Sequence, residues 1–392
     1  MAGILEGIRV VDLSRYIAGP YCSQLLANMG AEVIKVEKPG EGDTSRTVGP
    51  WKDGVSLFFQ TVNVNKKSVT ADTRTPEGLE IVKKLIAESD ILLENFRVGV
   101  MAKMGLSYEE VKKINPRIIM VSVTGFGQTG PMKNRIAFDG IISSMSGVTR
   151  IEDGEIQRSK GAIHDHIAAM YAAMGAVLAL YDRQRTGEGQ YVDVSMLASS
   201  TVIRSDSIAE AYLSGEEAAM SGDDSAPYGY LKAKDGFINY HAGTNQFYHN
   251  LISELDDPIL HKECYYNDIE ARLNNRKEIE DVIRAWAADK TCDELDEIFQ
   301  RIGVPSGIVN TPGRLLNQPQ LRANGYIMEV PVAGLEKYGP VPFVGFPFKL
   351  SNHPDIEYKS APTVGQNTEE IYKTVLKMTD SEIDALKAKG VI

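Results

Sequence analysis

One carboxylate stands out for where it falls in the chain. Asp165, within SKGAIHDHIAAMYAAMGAVLALYDRQRTGEGQYVDVSMLAS, comes just before a run in which Ile167, Met170, Tyr171, Met174, Val177, Leu178 and Tyr181 recur at helical spacing. That period is the stripe of a helix buried on one side, so the spacing places Asp165 in the helix's first turn. Arg183 and Arg185 fall in the last turn, Gly187 is free to take a left-handed conformation, and residues 190–195 read as a strand. An aspartate at a helix start has an ordinary use: it accepts bonds from the first-turn amides and complements the helix dipole. Only its surroundings can argue for more.

Other chemistries are weighed on the same terms. His164 and His166 flank Asp165, but residues two apart on a helix do not face each other, and the histidines of a helical zinc motif are four apart. No metal site is expected from them, and His241, His249, His261 and His353 are scattered and read as satisfied or solvated side chains. Neither GxSxG nor GxxxxGK[ST] occurs, which removes the serine-hydrolase elbow and the phosphate-binding loop. Glu37 stands where a dinucleotide-binding protein places its ribose-binding acid, yet the preceding loop SRYIAGPY lacks GxGxxG, so a nicotinamide cofactor is not expected. The loop at 125–130, GFGQTG, could cradle an anion with its amides but reads first as a turn.

The elements that must position these groups alternate. Residues 8–13 form a short apolar strand, Gly19-Pro20 opens a helix that Gly30 ends, and 31–36 is a second strand, together a βαβ unit. Strands at 68–72, 90–94 and 118–123 follow, with helices from Thr75-Pro76 to Ala87 and from a capping box, Ser107 to Glu110, as far as Asn115-Pro116. Buried parallel strands of this kind take ligands beyond their carboxyl ends, at the loops 14–20 and 37–43. After Ala198 the character changes. Residues 214–227, SGEEAAMSGDDSAP, read as a linker, 228–242 as a hairpin about Asp235-Gly236, and polar helices are expected near 245–255, 276–288 and 293–301. Residues 308–318 and 330–347 carry the chain back, and 380–389 is a last amphipathic helix. The organisation expected is therefore a large α/β domain over 1–213, the linker 214–227, a small α+β domain over 228–307 and a return over 308–392.

Composition narrows the partners. The formal charge of -11 speaks against nucleic acid, whose phosphates require a basic face, so any anionic ligand must be held by local positive charge. The three cysteines show no CxxC spacing, and their odd number fits reduced thiols in a cytoplasmic protein. No basic leader precedes a long apolar run, and no stretch of 18 uninterrupted apolar residues occurs; neither export nor a membrane span is expected.

These residues carry a resemblance. LEGIRVVDLSRYIAGPYCSQLLANMGAEVIKVEKPGEGD, NVNKKSVTADTRTPEG, DILLENF, MGLSYEEVKKINPRII, GFGQTGP and GAIHD…DRQRTGEGQYVDVSM together resemble the class III CoA-transferase family. That family is similar in kind to formyl-CoA transferase and carnitine CoA-transferase and has α-methylacyl-CoA racemase as a chemically different relative. The resemblance implies a Rossmann-like large domain, a smaller domain and an intertwined homodimer. It also implies that Asp165 attacks an acyl-CoA thioester, and that CoA then moves to a small carboxylic acid through an aspartyl anhydride and an aspartyl-CoA thioester. Coenzyme A would be a substrate, with no permanently bound cofactor. Carried over by position, the implied CoA contacts are Tyr16, Ile17, Lys38, Ala71, Arg74, Asn95, Phe96, Lys103 and Met104. Lys38, Arg74 and Lys103 would supply positive charge for the phosphates.

Two departures qualify the resemblance. A glycine run that covers the intermediates in some relatives is represented here only by Gly222 and Gly229, and the histidine that precedes an aspartate in the racemase pattern is Phe138, before Asp139. Without that base a racemase loses one of its two proton-transfer partners. A CoA-binding protein without chemistry is the remaining alternative of a different class.

Overall fold

The runs read as buried strands pair side by side. In a computed structural model describing residues 3–152, 155–157, 161–215, 225–353 and 356–392, six of them form one sheet. They are β1 (Arg9–Asp12), β2 (Glu32–Glu37), β3 (Lys67–Thr70), β4 (Ile91–Glu94), β5 (Ile119–Thr124) and β6 (Tyr191–Ser195). Every neighbouring pair is parallel and the order is β6-β5-β4-β1-β2-β3. This is the order of doubly wound dinucleotide-binding sheets, with the direction of winding reversing between β1 and β4.

Alternation along each strand explains why helices cover both faces. Val10, Ile91 and Leu93 point into a core with α1 (Ala18–Asn28) and α5 (Ile163–Thr186), whereas Val11 and Leu92 point into one with α2 (Pro76–Ala87) and α3 (Tyr108–Ile114). Two further short helices, α4 (Asp139–Met145) and α6 (Met196–Thr201), flank α5.

The chain divides into two compact units, Met1–Asp206 with Arg322–Ile392, and Ser207–Leu321. The C-terminal part of the first contains an antiparallel pair, Ile327–Val330 with Val341–Val344, and the helix Asp380–Ala388. The second unit has a three-stranded antiparallel sheet whose first two strands, Tyr228–Lys232 and Phe237–His241, meet at the Asp235-Gly236 turn. Helices Asn245–Ile252, Arg276–Ala287 and Cys292–Ile302 cover it. Of the stretch read as a linker, 216–224, and with it Gly222, lies outside the described residues.

Two expectations are corrected. The reciprocal capping box at Ser107 is only half formed: Ser107 accepts the Glu110 N–H at 3.4 Å, while the Glu110 carboxylate takes Lys113 at 2.6 Å. The larger correction concerns α5. Its face towards the sheet and α1 is built from Ala168, Ala169, Ala172, Ala173, Ala176 and Ala179, and the stripe of large residues expected to be buried is exposed: Met174 at 52%, Leu178 at 59% and Tyr181 at 75%. Alanines let two helices and a sheet approach closely. A Cβ at Gly175 would already stand 2.8 Å from Val192 Cγ1. The helical period marks both faces of α5, but bulk does not mark the one packed on its own chain: the small residues face the sheet and α1 and the large ones face out.

By length and hydropathy α5 is also a helix that could cross a membrane. Its alanine face is instead packed into the core of its own unit, where Arg183 is paired with Asp90 at 2.7 Å.

Candidate active site

The carboxyl ends of β1, β4 and β5 open into a cavity of about 620 Å³, at the reversal between β1 and β4. Residues 15–18 line it after β1, 95–98 after β4 and 123–125 at the end of β5; residues 133 and 135–140, with Thr44, Phe58, Met196 and Asp165, complete the wall. A parallel sheet leaves its ligand site at this point because the two flanking loops must diverge to opposite faces.

Local chemistry fixes the β1 loop. Asn95 accepts the Arg15 N–H at 2.8 Å and donates to the Arg15 carbonyl at 2.7 Å, joining the loops after β1 and β4 much as paired strands are joined. Tyr16 has a φ of 64°, a left-handed conformation that costs a bulky residue roughly 1 kcal/mol or more. The strained turn carries its ring into the cavity wall, 6.3 Å from the Phe138 ring and edge-on to it. Gly19 is required where α1 begins, since a Cβ there would lie 2.2 Å from Ser14 Cβ. Beneath the loop, Asp12 accepts from Ser14 N at 2.9 Å, Ser23 Oγ at 2.6 Å and Lys66 Nζ at 3.1 Å. Burial would raise the Asp12 carboxyl, but Lys35 and Lys66 beside it hold it well below its usual range. Burial also lowers the Lys66 ammonium to about 8.

Asp165 does not cap its own helix. The N-cap residue of α5 is Ala162, and the Asp139 Oδ2 atom accepts the His164 N–H at 2.7 Å and the Asp165 N–H at 3.2 Å. The cap role considered for Asp165 therefore belongs to Asp139, at the start of α4. Asp165 lines the cavity instead, near enough to the amide of Ala18, the first residue of α1, for that N–H to pull its pKa down; Ile17, the N-cap residue of α1, makes no side-chain cap. The Asp165 carboxyl also stands above the usual range of its kind. Burial, with Asp139 adding its negative charge, pushes it up to about 7, against the opposing pull of the Ala18 amide.

The implied contacts separate into two groups. Tyr16, Ile17, Asn95, Phe96 and Asp165 line one cavity. Lys38, Ala71, Arg74, Lys103 and Met104 do not; Lys38 follows β2, and Ala71 and Arg74 follow β3, along the same carboxyl edge of the sheet. Lys38 is paired with Glu41, and the Arg74 guanidinium grips Asp72 at 2.8 and 2.7 Å. Ala71 is buried, Met104 half-buried and Lys103 exposed.

The cations of the cavity are others: Arg15, Arg97, Lys133 and Arg135. The Arg15 guanidinium lies 5.3 Å from the Phe96 ring centre and that of Arg135 5.9 Å from Phe126. Each reads in sequence as a solvated surface charge. Only the adjacency of Arg15 to Tyr16 and of Arg97 to Phe96 could have drawn attention to two of them.

The competing readings also find their places. Glu37 is turned inward, bound by Arg46 at 2.7 and 2.8 Å and by Ser68 at 2.6 Å, so its oxygens are occupied away from any ribose. In the 125–130 loop the amide of Gly127 is given to Thr124 Oγ1 at 3.0 Å, within the turn, and that of Gln128 to Asp193 on β6 at 2.9 Å, so both amides already have protein acceptors. The His164 ring is buried with Nδ1 2.9 Å from Ser200 Oγ, and the His166 Nδ1 is 2.6 Å from the Ala162 carbonyl. The two imidazoles thus address different partners.

A switch-point cavity with a carboxylate on a helix start and four surrounding cations suits an anionic thioester. The model of CoA-transferase family III matches residues 5–368. The chain belongs to that family. It is 38% identical to a succinyl-CoA:glutarate CoA-transferase of Mus musculus, over 99% of this chain and 90% of that protein. It is 35% identical to a succinyl-CoA–D-citramalate CoA-transferase of Chloroflexus aurantiacus, over 99% and 98%. Among solved structures, a CAIB/BAIF family protein from Brucella suis superposes with a TM-score of 0.86 at 32% identity, covering 96% of this chain and all (100%) of that one. This class III CoA-transferase accordingly moves CoA between an acyl-CoA and an acid.

Proposed function

We propose that Asp165 is the nucleophile that carries the transfer, and that the acids exchanged are small dicarboxylates such as those named for the relatives. One observation carries this reading: Asp165 lines the cavity while Asp139 performs the capping that would otherwise account for it.

The steps balance without an outside reactant. An Asp165 oxygen attacks the thioester carbonyl, the C–S bond breaks, and CoA thiolate leaves a mixed acyl-aspartyl anhydride. The thiolate attacks the aspartyl carbonyl, releasing the donor acid as its carboxylate and leaving an Asp165–CoA thioester. The acceptor carboxylate attacks that thioester and expels thiolate. The thiolate then attacks the acceptor's own acyl carbonyl, forming the new acyl-CoA and regenerating the Asp165 carboxylate. Each intermediate keeps the activation of the original thioester, so little free energy is lost between steps. The raised pKa of Asp165 suits this use: a more basic carboxylate is a better nucleophile and still ionises near neutrality.

The cavity cations would hold the phosphates of CoA and the remote carboxylate of a dicarboxylic acid. A racemase reading finds no support here, because the ring beside Asp139 is Phe138 and no imidazole lines the cavity among the described residues.

The partner we propose is a second copy of the chain. Met170, Met174, Leu178 and Tyr181 form one exposed face of α5, and large apolar faces of this kind on a globular unit mark contact surfaces.

Trapping tests the mechanism. Incubation with succinyl-CoA and hydroxylamine should place a hydroxamate on the peptide bearing Asp165, located by mass spectrometry. A label on any other residue would overturn the assignment.

A further inference from the structure

Helices normally find their first-turn acceptors in the residue just before them. α5 does not, because its N-cap position is Ala162, with a ψ of 63° outside the extended range and no side-chain cap. The acceptor comes from a separate helix: one oxygen of Asp139 takes both the His164 and the Asp165 amides, at 2.7 and 3.2 Å. Asp139 itself lines the cavity, and the chain just before it, at Ala137, is pressed against the end of β5, where a Cβ on Gly125 would lie 2.4 Å from Ala137 Cβ. The cap is thus held by one wall of the cavity while the helix start it grips carries the nucleophile of the other.

We infer that Asp139 is a positioning residue for the transfer: through its two hydrogen bonds to the amides of His164 and Asp165 it fixes where the Asp165 carboxylate stands relative to the Ala18 amide and the cavity. The inference rests on the proposed role of Asp165. A small displacement suffices to matter, because an attacking oxygen must sit within about 3–3.5 Å of the thioester carbon and in line with it. The hydrogen bonds control position; the charge of Asp139 acts separately, as the lesser cause of the raised Asp165 pKa, and its loss trades some basicity for a larger ionised fraction near neutrality. A carboxamide at 139 keeps an acceptor oxygen in the same place and loses the charge; a glutamate keeps the charge and moves the oxygen by one methylene.

These substitutions separate the possibilities in the full-length enzyme. Asp139→Asn should keep kcat for CoA transfer from succinyl-CoA to glutarate within about threefold of wild type, whereas Asp139→Glu should lose about tenfold or more with KM for succinyl-CoA little changed. Both fold if circular dichroism and the melting transition are near those of wild type. Asp139→Glu at wild-type kcat would overturn the inference, and so would Asp139→Asn falling as far as Asp139→Glu, which would make charge the agent. If the two variants lowered only the melting temperature, with kcat per folded molecule unchanged, the cap would be structural and the inference would again be wrong. Asp165→Asn serves as the control on the underlying reading: if it retains turnover, the nucleophile assignment fails, whatever the Asp139 variants do.

Discussion

Two ways of starting a helix stand side by side in this protein. Away from the cavity several are capped from within, though not Arg276–Ala287 or Thr368–Thr374: Thr75 accepts the Gly78 N–H before α2, and full capping boxes, Thr291 with Glu294 and Thr379 with Glu382, open the helices Cys292–Ile302 and Asp380–Ala388. At the cavity neither α1 nor α5 has a side-chain cap of its own: Asp139 accepts the first-turn amides of α5, and Asp165 of α5 lies near enough to the Ala18 amide of α1 for it to lower the Asp165 pKa, while α6 keeps a local cap in Ser195. A local cap stabilises one helix and leaves it free to pack where its apolar face directs. An imported carboxylate couples the start of one helix to the location of another, which costs independence and confers geometry. The difference teaches where to look for chemistry: at helix starts whose acceptors come from far along the chain.

The sharpest way to break that comparison is to remove the anion at α1. Asp165→Asn preserves size and shape while Asp139 still caps α5, so the variant should fold yet lose about a thousandfold or more in kcat, read in a CoA-exchange assay by mass spectrometry. The same variant makes a second, opposite prediction for stability. With its pKa raised to about 7, Asp165 in the folded state holds a proton that the unfolded state releases from its ordinary value of 3.8 upward. Stability is therefore lost as pH rises from about 4 to about 7. Asp165→Asn should melt higher than wild type at pH 8, with the gap closing towards pH 4, as differential scanning calorimetry would register. A site that gains stability when its reactive group is neutralised is one that pays for function, and no such gain is expected at Thr291 or Thr379.

Much of the sheet was legible because buried parallel strands announce themselves as short apolar runs between helix caps; Thr75-Pro76 fixed the start of α2 to the residue. The location of Asp165 in a first turn was legible too, since α5 begins at Ile163. That another residue caps the helix was not, because the cap, Asp139, lies 26 residues away and pairs with backbone amides that carry no sequence signature. The faces of α5 were inverted for a related reason. Alanine-rich packing looks weakly apolar in sequence, and a face of Met, Leu and Tyr reads as core whether it meets its own chain or another. The four cavity cations were hidden by being ordinary: nothing local distinguishes Arg135 from a solvated arginine.

Those cations offer the next test. Arg15→Gln or Arg135→Gln should each raise KM for succinyl-CoA or for the acceptor acid by about tenfold, with kcat changed far less, because each removes a charge that meets substrate in the ground state and the transition state alike. Arg74→Gln should do less, since that guanidinium is already committed to Asp72 outside the cavity wall. An equal effect at all three would return the CoA phosphates to the Lys38–Arg74 end of the sheet edge. For the exposed face of α5, Leu178→Glu should convert a particle of twice the 43.0 kDa chain mass into a single chain on multi-angle light scattering. An unchanged mass would mean that another surface joins the copies, or that none does.

The smallest effect is the one that closes the comparison. Thr379→Ala removes the side chain that accepts the Glu382 amide at 3.3 Å and, with it, half of a reciprocal box in which Thr379 N–H reaches Glu382 at 2.8 Å. Loss of such a cap costs about 0.5–2 kcal/mol of helix stability. The helix it opens packs Ile383 against the core beside Ile371, on the face of the sheet opposite α5. The sheet separates local loosening there from Asp165, so kcat should stay within about twofold while the denaturation midpoint falls. The two caps use the same chemistry, a side-chain oxygen accepting first-turn amides. If Thr379→Ala lowered kcat as much as Asp139→Glu, distance from the nucleophile would not matter and imported caps would be no different in kind from local ones. If it alters stability alone, what sets Asp139 apart is the helix it holds.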